Sequence, residues 1–187
     1  MFWKAKIRAV RKTPLIFRFC TFPDLDTASM FAVSNSIKLI ALKTIKMETA
    51  NKTKITVQNI VKAPVEKVWK YWTEPGHITK WNNASDDWHT PRAENDLRVG
   101  GKFSARMEAK DGSFGFDFWG VYDKIKTNEL IEYTLGDDRK VGIHFTANGD
   151  ETKLVETFEA ESENPIEMQQ GGWQAILDNF KKYTEAN

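Results

Sequence analysis

The sequence predicts an α+β protein: one curved antiparallel sheet of about six to seven strands, covered by a single long C-terminal helix, with two short helices after the first strand. Three observations carry that expectation. Residues 102–160 alternate between apolar and polar side chains, and turn residues cut them into consecutive strands. Two apolar stripes at helical spacing, over residues 65–72 and 173–180, flank that region. The 187 residues contain one Cys, so the chain is long enough for one sizeable core and has no internal disulfide to brace it.

The elements follow in order. Ile55-Thr56-Val57-Gln58-Asn59-Ile60-Val61 is rich in β-branched residues and partly alternating, which predicts a strand. Pro64 suits a first helical turn, and Val65, Val68, Trp69 and Trp72 then repeat at i, i+3, i+4, i+7. Pro75 restarts a second short helix whose apolar residues are Ile78 and Trp81. Residues 83–97 are polar and contain Pro91, which predicts a loop with a short edge strand. After the turn residues Arg98-Val99-Gly100-Gly101, one face carries Phe103, Ala105, Met107 and Ala109, and the other Lys102, Ser104, Arg106 and Glu108. Asp111-Gly112 marks a hairpin, and residues 114–125 form a strand with aromatics on both faces. Asn128-Glu129 turns the chain into residues 130–135. Val141, Ile143 and Phe145 alternate next, and Asn148-Gly149-Asp150 turns into residues 153–160. Five consecutive strands joined by short turns make an antiparallel meander. Trp173, Ile176, Leu177 and Phe180 form the apolar stripe of the last helix, and Lys181 and Lys182 lie near its end, where cations are favoured. Gly171-Gly172 at its start is read as a place where backbone approaches the sheet closely.

Charge divides the chain. Residues 1–46 hold nine basic residues against two acidic ones, net +7, while the remainder holds 18 against 24, net −6. The expected division is a basic extension over residues 1–46 and one domain over 47–187. Met47-Glu48-Thr49-Ala50-Asn51-Lys52 reads as an ordinary polar N-terminus, so the first expectation is an extension upstream of the true start, outside the fold. An organelle presequence is one alternative, since Arg8, Arg11 and Arg18 are spread among apolar residues and no acid precedes Asp24. An accessory element is the other. Arg18 interrupts the stretch nearest to a secretory signal, and Lys38 and Lys43 break the next apolar run. A 41% hydrophobic content excludes disordered and membrane classes, and an acidic domain repels nucleic acid and anionic membranes. A cytoplasmic, reducing location suits the lone Cys20.

Beyond the order of elements, several motifs are similar to those of a known family. Ala63-Pro64-Val65-Glu66-Lys67-Val68-Trp69 opens the first helix, and Thr90-Pro91-Arg92-Ala93-Glu94-Asn95-Asp96-Leu97-Arg98-Val99-Gly100-Gly101 leads into the central strand. Gly120-Val121-Tyr122 stands mid-sheet, and Gly172-Trp173 with Leu177 and Phe180 begins and lines the last helix. Over residues 53–185 the chain resembles the START-like (SRPBCC, helix-grip) superfamily, and within it the activator-of-Hsp90-ATPase homologue family. The resemblance implies a sheet wrapped round the C-terminal helix, with a cavity between them and the two short helices closing one end. Such cavities often hold apolar or aromatic ligands, and some branches are cyclases, dehydratases or hydroxylase partners. In eukaryotic Hsp90 co-chaperones a separate N-terminal domain supplies much of the chaperone contact. The 46 residues ahead of this domain are too few for one, so the resemblance points to the fold first and to Hsp90 activation second.

The residues themselves carry little enzymatic signature. No metal-ligand spacing joins His77, His89 and His144, so no metal and no cofactor are expected. His77 reads as a surface residue of the short helix, and His144 lies opposite the Val141/Ile143/Phe145 face. Gly100-Gly101 precedes a strand, not a helix, which excludes a dinucleotide loop. His89, flanked by Asp86, Asp87 and Trp88 at the expected cavity mouth, is a candidate general base; Asp86 and Asp117 are the other acid–base candidates. The binding candidates are Trp72, Trp81 and Trp88, clustered where helices cap the cavity, with Trp173 and the strand pair Asp117 and Trp119. The leading expectation is a non-enzymatic binder of a small hydrophobic or aromatic molecule. A small acid–base enzyme and a chaperone-accessory module that engages an Hsp90-type partner are the alternatives, and a homodimer through a sheet face or edge stays open.

Overall fold

A computed structural model describes residues 52–187. The basic extension, and with it the expectation that residues 1–46 stand apart from the domain, lies outside the described residues. β1 (Lys54–Val61) buries Ile55, Val57 and Val61 on one face. The extended backbone of Pro64 caps α1 (Val65–Thr73), and α2 (Pro75–Trp81) starts on its own proline. Then come β2 (Trp88–Asn95), β3 (Lys102–Ala109) and β4 (Gly115–Lys126). They lead on to β5 (Leu130–Leu135), β6 (Lys140–Asn148) and β7 (Glu151–Glu159). α3 (Ile166–Ala186) closes the chain.

The seven strands form one sheet in the order β1-β7-β6-β5-β4-β3-β2, and each neighbouring pair is antiparallel. The sheet curls into a half-barrel, so the expected α+β helix-grip architecture is the one found. Local chemistry explains the tight connections. Asn128 (φ 64°) and Asp138 (φ 66°) occupy the left-handed region that short Asn and Asp side chains tolerate. Gly101 is required for a different reason: a Cβ there would stand 2.1 Å from the Asp96 carbonyl oxygen.

Inner-face residues of β1 and β5–β7 pack with α1 and α3 into one core, in which Val68, Leu154, Leu177 and Phe180 are fully buried. Polar side chains fix α3 along the β1 edge. Asn59 Nδ2 donates to Asp178 Oδ1 at 2.7 Å, and the Lys62 amide donates to Glu185 Oε1 at 2.8 Å. The buried Gln169 joins the start of α3 to the preceding loop, accepting from the Glu161 amide and donating to the Glu161 and Asn164 carbonyls.

Three local expectations are corrected. β2 is a full eight-residue edge strand, and its register shifts between His89 and Arg92, where Pro91 has no N–H to give the ladder. α3 begins at Ile166, so Gly171 and Gly172 lie inside it. Neither glycine serves a close approach to the sheet, because a Cβ at either would meet nothing within 4 Å. His77 is half-buried, not a plain surface residue: its ring stacks on Tyr71 at 3.9 Å and its Nδ1 bonds the Tyr183 hydroxyl at 2.8 Å.

Candidate functional site

The space those two glycines leave open belongs to a cavity of about 410 Å³ between the sheet, α2 and α3. Its walls are apolar for the reason that set the strands' alternation. The inward residues of β3 to β5, including Phe103, Met107, Phe118, Tyr122 and Ile131, face α3, which answers with Trp173 and Ile176. Trp72, Ile78 and Trp81 of the short helices and Trp88 of β2 join the lining.

The aromatic rings brace one another. Trp72 and Trp81 stack at 5.0 Å, and each sets an edge-on contact against Phe180, at 4.8 and 4.9 Å. Trp173 stacks on Phe158 at 3.9 Å. Trp81 keeps its indole N–H satisfied by donating to the Tyr71 carbonyl at 3.0 Å. Asn95 latches the short helices to the sheet: it donates to the Thr73 carbonyl at 2.6 Å and accepts from the Tyr122 hydroxyl at 2.8 Å. Burial raises the Tyr122 phenol, an effect the Asn95 bond opposes.

At the β7 wall stands a carboxyl group. Glu156 is 5% exposed, lies on the inner face of β7 between Leu154 and Phe158, and lines the cavity. Its sheet partners across β1 and β6 are Val57 and Ile143, and no hydrogen-bond donor among the described residues reaches its carboxyl. Desolvation therefore pushes it up to about 8, so it holds its proton at neutral pH. Tyr133, also in the lining, is pushed well above its ordinary value by burial and, secondarily, by the Glu156 charge.

Of the residues singled out in the sequence, Trp72, Trp81, Trp88 and Trp173 line this one cavity. Asp117 and Trp119 do not. They occupy the outer face of β4, where Asp117 lies 3.8 Å from Arg106 and 3.9 Å from Arg92, and Lys102 Nζ sits 4.3 Å over the Trp119 ring. His89, beside Glu108 at 3.8 Å, and the exposed Asp86 also stand outside the lining. Sequence reasoning missed Glu156, Tyr133, Asn95 and the cavity role of Gly171 and Gly172. Glu156 had a signal: Thr152, Leu154, Glu156 and Phe158 alternate along one strand, which places a lone acid on the buried face. Among the described residues no cluster of three or more His, Cys, Asp or Glu side chains could hold a metal ion, and no helix is long and apolar enough to cross a membrane.

Residues 62–185 match the family described as Activator of Hsp90 ATPase homolog 1-like protein. The chain belongs to that family. Among solved structures, the solution NMR structure of the AHSA1-like protein from Aeromonas hydrophila is 42% identical, with a TM-score of 0.68; the match covers 72% of this chain and 93% of that one. A solution structure from Cytophaga hutchinsonii is 63% identical with a TM-score of 0.63, over the same shares of the two chains. A crystal structure from Nitrosomonas europaea shares the fold at 17% identity, with a TM-score of 0.63, over 72% of this chain and 96% of that one. No curated protein matches the chain. The Hsp90-activator-homologue family has the SRPBCC fold, a fold of ligand-binding domains.

Proposed function

We propose that this domain is a non-enzymatic receptor for a small apolar or aromatic molecule held between the sheet and α3. The observation that carries the reading is the cavity itself. A volume of about 410 Å³ falls within the range of small-molecule sites, and its walls are mainly aliphatic and aromatic with a few polar groups. The two interior glycines of α3 support it. Each costs a helix about 1 kcal/mol relative to Ala, and here they keep volume empty without relieving any clash. The residues that the sequence offered for the acid–base alternative, His89, Asp86 and Asp117, stand outside the cavity lining. The chaperone-accessory alternative rests on the family description alone.

The experiment is a screen of melting temperature and Trp fluorescence against neutral lipid-like and polycyclic aromatic compounds. Binding would raise the melting temperature in a dose-dependent way, by linkage to the folded state. A screen in which no compound of either class shifts either signal overturns the proposal.

A further inference from the structure

The polar end of the cavity says more about the ligand than its apolar walls do. Among the described residues, tyrosines aside, the ionisable side chains of the lining are Glu94, Glu156 and Glu167, with no Lys, Arg or His. Glu94, on the edge strand, is exposed and has Arg92 at 3.9 Å. Glu167 is exposed in the first turn of α3. Of these three Glu156 alone is buried, and it faces the cavity with no donor among the described residues. Buried polar groups are ordinarily hydrogen-bonded, so a lone carboxyl aimed into an apolar chamber lacks its partner. Next to it on the inner face of β7 stands Phe158, with Trp173 stacked on that ring, and the Tyr133 phenol lines the same space.

We propose that the partner is a lipophilic amine, whose aromatic or aliphatic body fills the chamber and whose ammonium group pairs with Glu156. This inference rests on the ligand-binding reading above and adds the ligand's charge. An ammonium brings what the site lacks: a positive charge and several N–H donors. A charge-assisted hydrogen bond is about twice as strong as a neutral one, and aromatic rings attract a cation held against their faces. An alcohol of the same shape offers only a neutral hydrogen bond. A carboxylate brings a negative charge into a low-dielectric space where no cation among the described residues meets it.

Protonation gives the pairing a signature. Because Glu156 holds its proton up to about pH 8, an ammonium ion displaces that proton on binding, and amine affinity climbs as the pH rises toward 8. The other titratable groups of the lining are Tyr133 on β5, Tyr122 on β4, Glu94 on β2 and Glu167 on α3. Burial raises both phenols, away from this window, and the two carboxylates are exposed at the solvent side. The strands paired with β7 put Val57 and Ile143 opposite Glu156, and neither titrates.

The test is calorimetric titration of the described domain within the full chain with three probes of one shape: naphthylmethylamine, naphthalenemethanol and naphthoate. The expected result is an amine about tenfold tighter than the alcohol at pH 8, a carboxylate weaker than both, and an amine affinity that falls severalfold or more between pH 8 and pH 6. Glu156→Gln is expected to abolish the amine's advantage over the alcohol and the pH dependence of amine binding. The pH profile of the unaltered protein carries the test even if that variant folds poorly. Equal binding of amine and alcohol, or an amine preference unchanged in Glu156→Gln, overturns the inference and leaves the cavity reading standing. Failure of all three probes to bind overturns both.

Discussion

Replacing Glu156 by Gln removes a carboxyl that the fold holds in its protonated form, and the consequence can be worked out for stability without any ligand. In the folded protein the group keeps its proton up to about pH 8, against an ordinary value of 4.5. Between those values the folded state binds more protons than the unfolded chain, so this group's contribution to stability falls as the pH rises through the window. The slope is about 1.4 kcal/mol per pH unit, and from pH 5.5 to pH 7.5 the shift amounts to about 2.5 kcal/mol. Glu156 is the one titratable group that the substitution removes, so the two stability curves should converge in acid and separate toward neutral pH, with the Gln variant ahead. Urea unfolding followed by Trp fluorescence at the two pH values reads the difference directly. Parallel curves would mean that Glu156 is ionised in the folded state, and the account of a carboxyl desolvated at the cavity wall would fail.

Three more outcomes follow from the geometry. Gly172→Leu should raise stability by about 0.5–1 kcal/mol through helix propensity, since its side chain meets open space, and should weaken or abolish binding of aromatic probes by filling the cavity; thermal melts and titrations separate the two effects. Asn95→Ala leaves the Tyr122 hydroxyl and the Thr73 carbonyl without their partner and should cost about 1–3 kcal/mol in urea unfolding. Trp119→Ala, on the outer face, should leave probe affinity unchanged and lose about 0.5–1 kcal/mol with the Lys102 cation–π contact.

The architecture was legible because its signals are periodic and reinforced by turns. Phe103, Ala105 and Met107 alternate in sequence and all face inward, and Val68, Trp69 and Trp72 hold one helix face against the core. β4 defeated the same reasoning. With Phe116, Phe118 and Tyr122 on one face and Trp119 and Val121 on the other, composition does not say which face is buried; the pairing of Phe118 with Ala105 does. The start of α3 was hidden because adjacent glycines read as a helix boundary, whereas their use is to keep space free. The Asn95 latch joins residues 22 and 27 positions away, a long-range pairing to which no local pattern points. Glu156 was readable in its strand's alternation, but what its burial means depended on knowing that the opposite wall is empty space.

The most direct test of the central claim uses the tryptophans as reporters of position. Their indole N–H signals, resolved by proton–nitrogen NMR and assigned by single substitutions, are followed as neutral naphthalenemethanol is added to saturation. A ligand in the cavity shifts the signals of Trp72, Trp81, Trp88 and Trp173, which line it, and leaves Trp119 on the outer face unmoved. Shifts confined to Trp119, or no shift at saturating probe, would contradict the account.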